Sequence, residues 1–214
     1  MGFIAKDTGG DGNFKRVPVG VFIGRCYSLI DLGTQTATGA YAGKDAHKIR
    51  ISWELFGEDD EGNPLTINVD GKEIPLTISK KYTLSLHEKA NLRHDLAAWR
   101  GKDFTEEEAK AFDVSKLVGH YCMINVTTSD TNGKTYSNVG GITPLPRALK
   151  DAKPEPVHTN IFFDLDQPDM AVFSKFYQQL QDTIKASREW AAAQGRMSGG
   201  EYVPDADELT DAPF

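Results

Sequence analysis

The amino-acid sequence predicts a mainly β fold with helices. The expected body is a five-stranded, OB-fold-like β-barrel with a helix between its third and fourth strands, followed by a long C-terminal helix and a disordered acidic tail. Three observations lead there. Short runs of alternating apolar and polar residues recur between Gly, Asn and Asp turns. The period turns helical only at residues 85–101 and 169–194, apart from one short turn after Thr105. The net charge of −7 is confined to one end of the chain.

The first strand is read at 17–32, VPVGVFIGRCYSLIDL, with Gly20 and Gly24 inside it as marks of a bulge or barrel corner. The second, 47–56, HKIRISWELF, alternates cleanly. Ile49, Ile51, Trp53 and Leu55 point one way, and Lys48, Arg50, Ser52 and Glu54 the other. An insertion follows whose Asp70-Gly71 is a hairpin turn. The third strand is read at 75–86, PLTISKKYTLSL.

Ser85 and Glu88 then have capping-box spacing, and Leu92, Leu96 and Trp99 follow at helical intervals until Gly101 can end the helix. Thr105 and Glu108 repeat the capping signature for a short second helix. Strands at 118–129 and 134–143 flank an Asn132-Gly133 turn. Five strands with a helix between the third and fourth match a partly open Greek-key barrel of the OB type, whose base a helix closes. An α+β sandwich is the alternative.

Residues 1–147 therefore form the expected barrel domain, 148–194 a linker and C-terminal helix, and 195–214 a flexible linker with an acidic tip. Val172, Phe173, Phe176, Tyr177, Leu180 and Ile184 make the apolar stripe of a helix over 169–194. Unbroken, that helix is about 37 Å long, enough to serve a homodimer or to dock on its own barrel.

Residues 154–214 hold 4 Lys/Arg against 11 Asp/Glu, so the preceding 153 residues are neutral. A neutral body leaves nucleic-acid binding open despite an isoelectric point near 5.2. Cys26 and Cys122 lie outside any Cys-x-x-Cys motif and read as buried free thiols of a reducing compartment. The opening MGFIAKDTGG has no apolar signal region, and no run approaches the ~20 apolar residues of a membrane helix. A cytoplasmic, non-membrane protein is expected.

Catalytic patterns are weak. His87-Glu88 with His94 has seven-residue spacing and no third ligand, so no metal site is expected. The clusters Glu58–Glu61 and Glu106–Glu108 read as solvated or dipole-serving carboxylates rather than Mg²⁺ ligands of a nuclease. The glycines of VGGIT and NGKTY lack phosphate-loop spacing. No enzyme activity and no cofactor are expected.

Binding patterns are stronger. Cations stand beside aromatic rings on the strands: Arg25 with Tyr27, Lys48 and Arg50, Lys80-Lys81-Tyr82, and Lys134 with Tyr136. Single strands are held by a positive groove plus rings on which bases stack, at about 1–3 kcal/mol per base. Trp53 and Trp99 fall on the apolar side of their own periods and are assigned to the core. Asp205, Asp207, Glu208, Asp211, Pro213 and Phe214 form a recognition unit in the tail, an aromatic ring preceded by charges that steer it toward basic surfaces.

The stretch DADELTDAPF resembles the acidic tip of bacterial single-stranded DNA-binding proteins, which end in several Asp followed by Ile-Pro-Phe; Ala212 stands here in place of Ile. Residues 80–105, KKYTLSLHEKANLRHDLAAWRGKDFT, are similar to a group of phage-encoded proteins found among replication and recombination genes, and the likeness spans roughly residues 1–147. The resemblance implies a non-catalytic protein that coats single-stranded DNA during replication, recombination and repair in the bacterial cytoplasm. It implies a tail that recruits a helicase, primase, polymerase, recombinase or nuclease, and that can occupy the protein's own DNA groove. The competing reading is a recombination mediator or inhibitor acting by protein–protein contact or DNA mimicry.

Overall fold

A computed structural model of the chain describes residues 15–37 and 42–198, with side chains through residue 194. The acidic tip, including Asp205, Asp207, Glu208, Asp211, Pro213 and Phe214, lies outside the described residues, as does most of the N-terminal arm.

The architecture is mainly β, with an antiparallel sheet and several helices. Strands β1 (Gly20–Thr36), β2 (Asp45–Phe56), β5 (Thr77–Thr83), β6 (Tyr121–Thr131) and β7 (Lys134–Pro144) run in the order β5-β2-β1-β6-β7, each antiparallel to its neighbour. They overlap the runs read as strands at 17–32, 47–56, 75–86, 118–129 and 134–143, but they belong to a six-stranded antiparallel sheet with one parallel pair rather than to a closed five-stranded barrel. The insertion forms its own hairpin, β3 (Thr66–Val69) and β4 (Lys72–Pro75). Its two-residue turn holds Asp70 at φ 52° and Gly71 at φ 80°, the positive angles a tight hairpin demands.

The sheet has a sixth member that the sequence did not predict. β6 pairs with β1 only along Gly20–Arg25, and β8 (Ile161–Phe163) takes the vacated edge, parallel to Ser28–Ile30. Unpaired strand edges invite association, and β8 covers this one from within the chain.

β1 is buried on both faces beyond this point. Leu29 joins a core with Ile49, Ile51, Trp53, Leu92, Leu96 and Ile124, while Ile30 and Leu32 join a second with Phe163, Phe173, Leu180, Ile184 and Trp190. Trp53 and Trp99 are buried in the first core, as their periodicity indicates. Cys26 and Cys122 are buried and unpaired. Burial pushes the Cys26 thiol up to about 12 and raises Cys122 as well, so both stay protonated and unreactive.

Helix α1 (Asn91–Arg100) packs against β5 and β7. Gly101 ends it at φ 72°, with amides of residues 101 and 102 returning to the carbonyls of Ala98 and Ala97. The expected start is not seen. Ser85 Oγ accepts the amide of His87 rather than that of Glu88, and the helix begins at Asn91, after Ala90, with no side-chain cap. At α2 (Glu106–Lys110) the capping box forms as read, with Thr105 and Glu108 bonding each other's backbone amides.

The single C-terminal helix is corrected to three: α3 (Met170–Phe173), α4 (Gln178–Lys185) and α5 (Arg188–Ser198). Hydroxyls interrupt the run. Ser187 Oγ donates to Ile184 O at the end of α4 and accepts the Trp190 amide at the start of α5. The three pieces fold back on β1 and β8 and build the second core, whose share of β1 ties residues 161–194 to the body. Among the described residues no helix is long and apolar enough to cross a membrane.

Candidate nucleic-acid interface

The register of β2 and β5 fixes which side chains share the sheet's outer face. Ile49, Ile51, Trp53 and Leu55 enter the core, so Lys48, Arg50, Ser52 and Glu54 point away from it. Opposite them stand Thr83, Lys81, Ser79 and Thr77 in four direct cross-strand pairs. At one end is a cationic patch of Lys48, Arg50 and Lys81; a band of hydroxyls follows; a buried carboxylate closes the other end.

Within the patch, Arg50 and Lys81 are directly opposite each other. Like charges in that position repel. Arg50 donates to the Tyr177 hydroxyl at 2.9 Å and lies 5.6 Å from that ring's centre, so its neighbour is an aromatic rather than an anion. Lys48 donates to Thr83 Oγ1 at 2.6 Å, and Lys81 is exposed. These three expected binding residues are brought together.

The other candidates are placed differently. Arg25 is 4% exposed and Glu54 is completely buried beside it. The Arg25 guanidinium donates to Glu54, to Asn160 Oδ1 and to the His158 carbonyl. Glu54 Oε2 also accepts the His158 amide at 2.9 Å, with the His158 ring Nδ1 at the same distance. Burial alone would raise the Glu54 pKa, but the His158 and Arg25 hydrogen bonds outweigh it and hold the carboxyl below its usual range. Arg25 is therefore a structural cation that clamps the segment around residues 157–160 onto β1 and β2. Tyr27, in the β1 bulge, has the Thr77 side chain near its hydroxyl. Its ring stands 4.7 Å from that of His158 and is half-buried.

Lys80 and Tyr82 are also corrected. Strand alternation turns both inward, and only Lys81 of the trio faces out. Lys80 Nζ and the Tyr82 hydroxyl both donate to Asp95 Oδ2 of α1, each at 2.6 Å, and Tyr82 is 3% exposed. Burial, then the Asp95 hydrogen bond, raises the Tyr82 pKa far above the ordinary phenol range. Lys134 and Tyr136 are exposed on β7, near the β6–β7 turn, and Tyr136 shares a hollow with Arg16 and Pro18. They lie on a different strand edge from the Lys48–Arg50–Lys81 patch.

Sequence reasoning missed the hydroxyls Thr77, Ser79 and Thr83, although their alternation with Ile78 and Tyr82 was a usable signal. It also missed Tyr177 and His158, which reach the face from 127 and 131 residues away, next to Arg50 and Tyr27. No local pattern marks such contacts. Among the described residues no group of three or more His, Cys, Asp or Glu side chains is arranged to hold a metal. Comparison with protein-family models finds none that matches the chain, and no curated protein matches it.

Proposed function

We propose that this chain is a non-catalytic single-stranded DNA-binding protein of phage type with an OB-like body. The observation that carries this reading is the Arg50–Lys81 pair with Lys48 beside it, on an outer sheet face with hydroxyls along one side. A cross-strand pair of like charges costs stability unless an anion lies between them. A phosphate backbone supplies that anion, and Ser79, Thr77 and Thr83 supply donors for its oxygens. Glu54 does not oppose it, because that carboxylate is buried in its pair with Arg25.

The OB reading draws support from topology. β5 and β7 are the outer strands of the sheet path, and Lys80 of β5 reaches the Val139 carbonyl of β7 at 3.4 Å. α1, between β5 and β6 in sequence, packs across β5 and β7. Such barrels bind oligonucleotides on the face of their second and third strands, which here are β2 and β5. In this reading the protein coats DNA in replication and recombination, and its acidic segment recruits the partner enzymes.

The test is an anisotropy titration of a labelled oligonucleotide, single-stranded and duplex, over a range of salt. The protein should prefer the single strand. Log affinity should fall with log salt at a slope of about −2, from three phosphate contacts at about −0.7 each. Equal affinity for both forms, or no binding in low salt, would sink the reading.

A further inference from the structure

A second site lies away from the outer face of β2 and β5. It is a cavity of about 890 Å³ where the end of α1, the 3₁₀ turn Val114–Leu117, the start of β6 and the segment after β7 meet. Its walls are apolar: Leu96 and Trp99 of α1, Phe112 and Leu117 beyond it, and Pro144 and Leu145 at the end of β7. Four cations also line it, Arg100, Lys116, Lys150 and Lys153, and no carboxylate does. The cavity falls within the ~300–1,000 Å³ of sites that enclose a compact ligand.

Arg100 gives the cavity its chemistry. One terminal nitrogen donates to Glu108 at 2.5 Å, and the guanidinium lies 4.2 Å from the Phe104 ring centre. The other, Nη1, is buried with no hydrogen-bond partner among the described residues. A buried charged donor without an acceptor is costly, so this nitrogen favours an incoming acceptor. Lys153 Nζ stands 5.6 Å from the centre of the Tyr121 ring, so cation and ring adjoin at the mouth. The matching ligand is anionic and aromatic: carboxylates for the rim and a ring for the hollow.

The chain carries such a ligand. Residues 201–214 hold five carboxylates, Glu201, Asp205, Asp207, Glu208 and Asp211, with Tyr202 and Phe214 and no Lys or Arg. Phe214 lies sixteen positions beyond Ser198, and at about 3.3 Å per step such a tether spans about 50 Å. A body of this length has a radius of gyration near 16 Å, so the whole surface is within reach. Tethering raises the effective concentration to about the millimolar range, so even a weak contact fills the cavity. A nucleic-acid strand fits less well, because it needs a continuous track rather than one hollow ringed by cations.

We propose that this cavity is the docking site for the chain's own acidic segment, residues 201–214, with an aromatic ring in the hollow and carboxylates on Arg100, Lys116, Lys150 and Lys153. It separates the segment's resting place from the strand-binding face. It does not depend on strand binding.

The test places the photo-crosslinker p-benzoylphenylalanine at position 214 of the full chain and maps the adducts by mass spectrometry. Adducts within one chain, on the α1 end, Phe112–Leu117 or Pro144–Lys153, are expected. Lys116→Glu with Lys150→Glu and Lys153→Glu should lower the yield about tenfold. Asp205→Asn, Asp207→Asn, Glu208→Gln and Asp211→Asn together should do the same with the cavity untouched. A saturating oligonucleotide should leave the yield unchanged. Adducts on Lys48, Arg50 or Lys81, adducts between chains, loss of adducts to the oligonucleotide, or no adducts at all would each overturn the proposal. Failure of strand binding leaves these readouts as they are, so the two readings fail separately.

Discussion

Glu54 carries no net charge to the surface, yet it organises one end of the candidate interface. It accepts from Arg25, from two backbone amides of residues 157 and 158, and lies against the His158 ring. Removing one partner of a buried ion pair strands the other, at about 3–5 kcal/mol. Arg25→Ala should therefore lower the unfolding free energy by that amount in a denaturant titration. The pH dependence follows from the depressed Glu54 pKa. The unfolded carboxyl titrates near 4.3, so the contribution is full above that pH and is lost as pH falls through the lower folded value. Glu54→Gln should flatten the loss of stability between pH ~4.3 and more acidic values. Lys81 behaves oppositely. Lys81→Ala relieves the repulsion with Arg50, so stability should hold or rise by about 0.2–1 kcal/mol. The same change should cut single-strand affinity and make the salt slope shallower by about 0.7. A parallel loss of stability and affinity would instead make Lys81 structural. At this scale the sequence put Lys48 and Arg50 on the right face of β2 but left Arg25, Lys80 and Tyr82 among the binding residues. Lys80 and Tyr82 could have been set aside, because residues 78, 80 and 82 share a face and Ile78 is core. Arg25 could not, since Asn160 and His158 come from far along the chain.

At the scale of elements, the C-terminal pieces behave as part of the fold rather than as an appendage. Gly33 shows the closeness of the join. It lies at φ 67°, where a side chain is strained, and a Cβ there would stand 2.4 Å from Ser187. Thr34 donates its amide and hydroxyl to Glu189 of α5, at 2.7 and 2.5 Å. Ile184→Ala, at a fully buried position in the second core, should cost about 2–5 kcal/mol and loosen α3–α5 in hydrogen exchange. The apolar stripe from Val172 to Ile184 was legible, because burial imposes the helical period. The breaks were not, because Ser187 ends one helix and starts the next through hydrogen bonds whose geometry periodicity does not encode. β8 was hidden for a related reason: three residues, Ile161–Phe163, are too few to show alternation. The capping signatures make a useful contrast. Thr105 precedes its helix directly, whereas Ser85 stands six residues ahead of Asn91 and caps a turn. The first apolar residue of the helical stripe, Leu92, marked the true start.

For the whole molecule the decisive quantity is where charge sits. The first 153 residues are balanced, and five acidic residues fall in the last fourteen positions. Those carboxylates repel an approaching phosphate backbone over roughly a Debye length, about 30 Å at 0.01 M salt and 8 Å at 0.15 M. Neutralising Asp205, Asp207, Glu208 and Asp211 together should raise single-strand affinity several-fold at low salt and hardly at all near physiological salt. The charge partition was legible from counting alone. The cavity beside Trp99 was not, since Lys116, Lys150 and Lys153 gather around it only once β7 has run its course and the chain turns back.

The most direct measurement is the salt-dependent titration of single-stranded and duplex oligonucleotides with the full-length chain, run beside the variant carrying Lys48→Ala and Lys81→Ala. The account predicts preference for the single strand, a slope of about −2 for the parent and about −0.7 for the variant, with folding stability held or slightly raised. Equal slopes for parent and variant, or equal affinity for single strand and duplex, would contradict it.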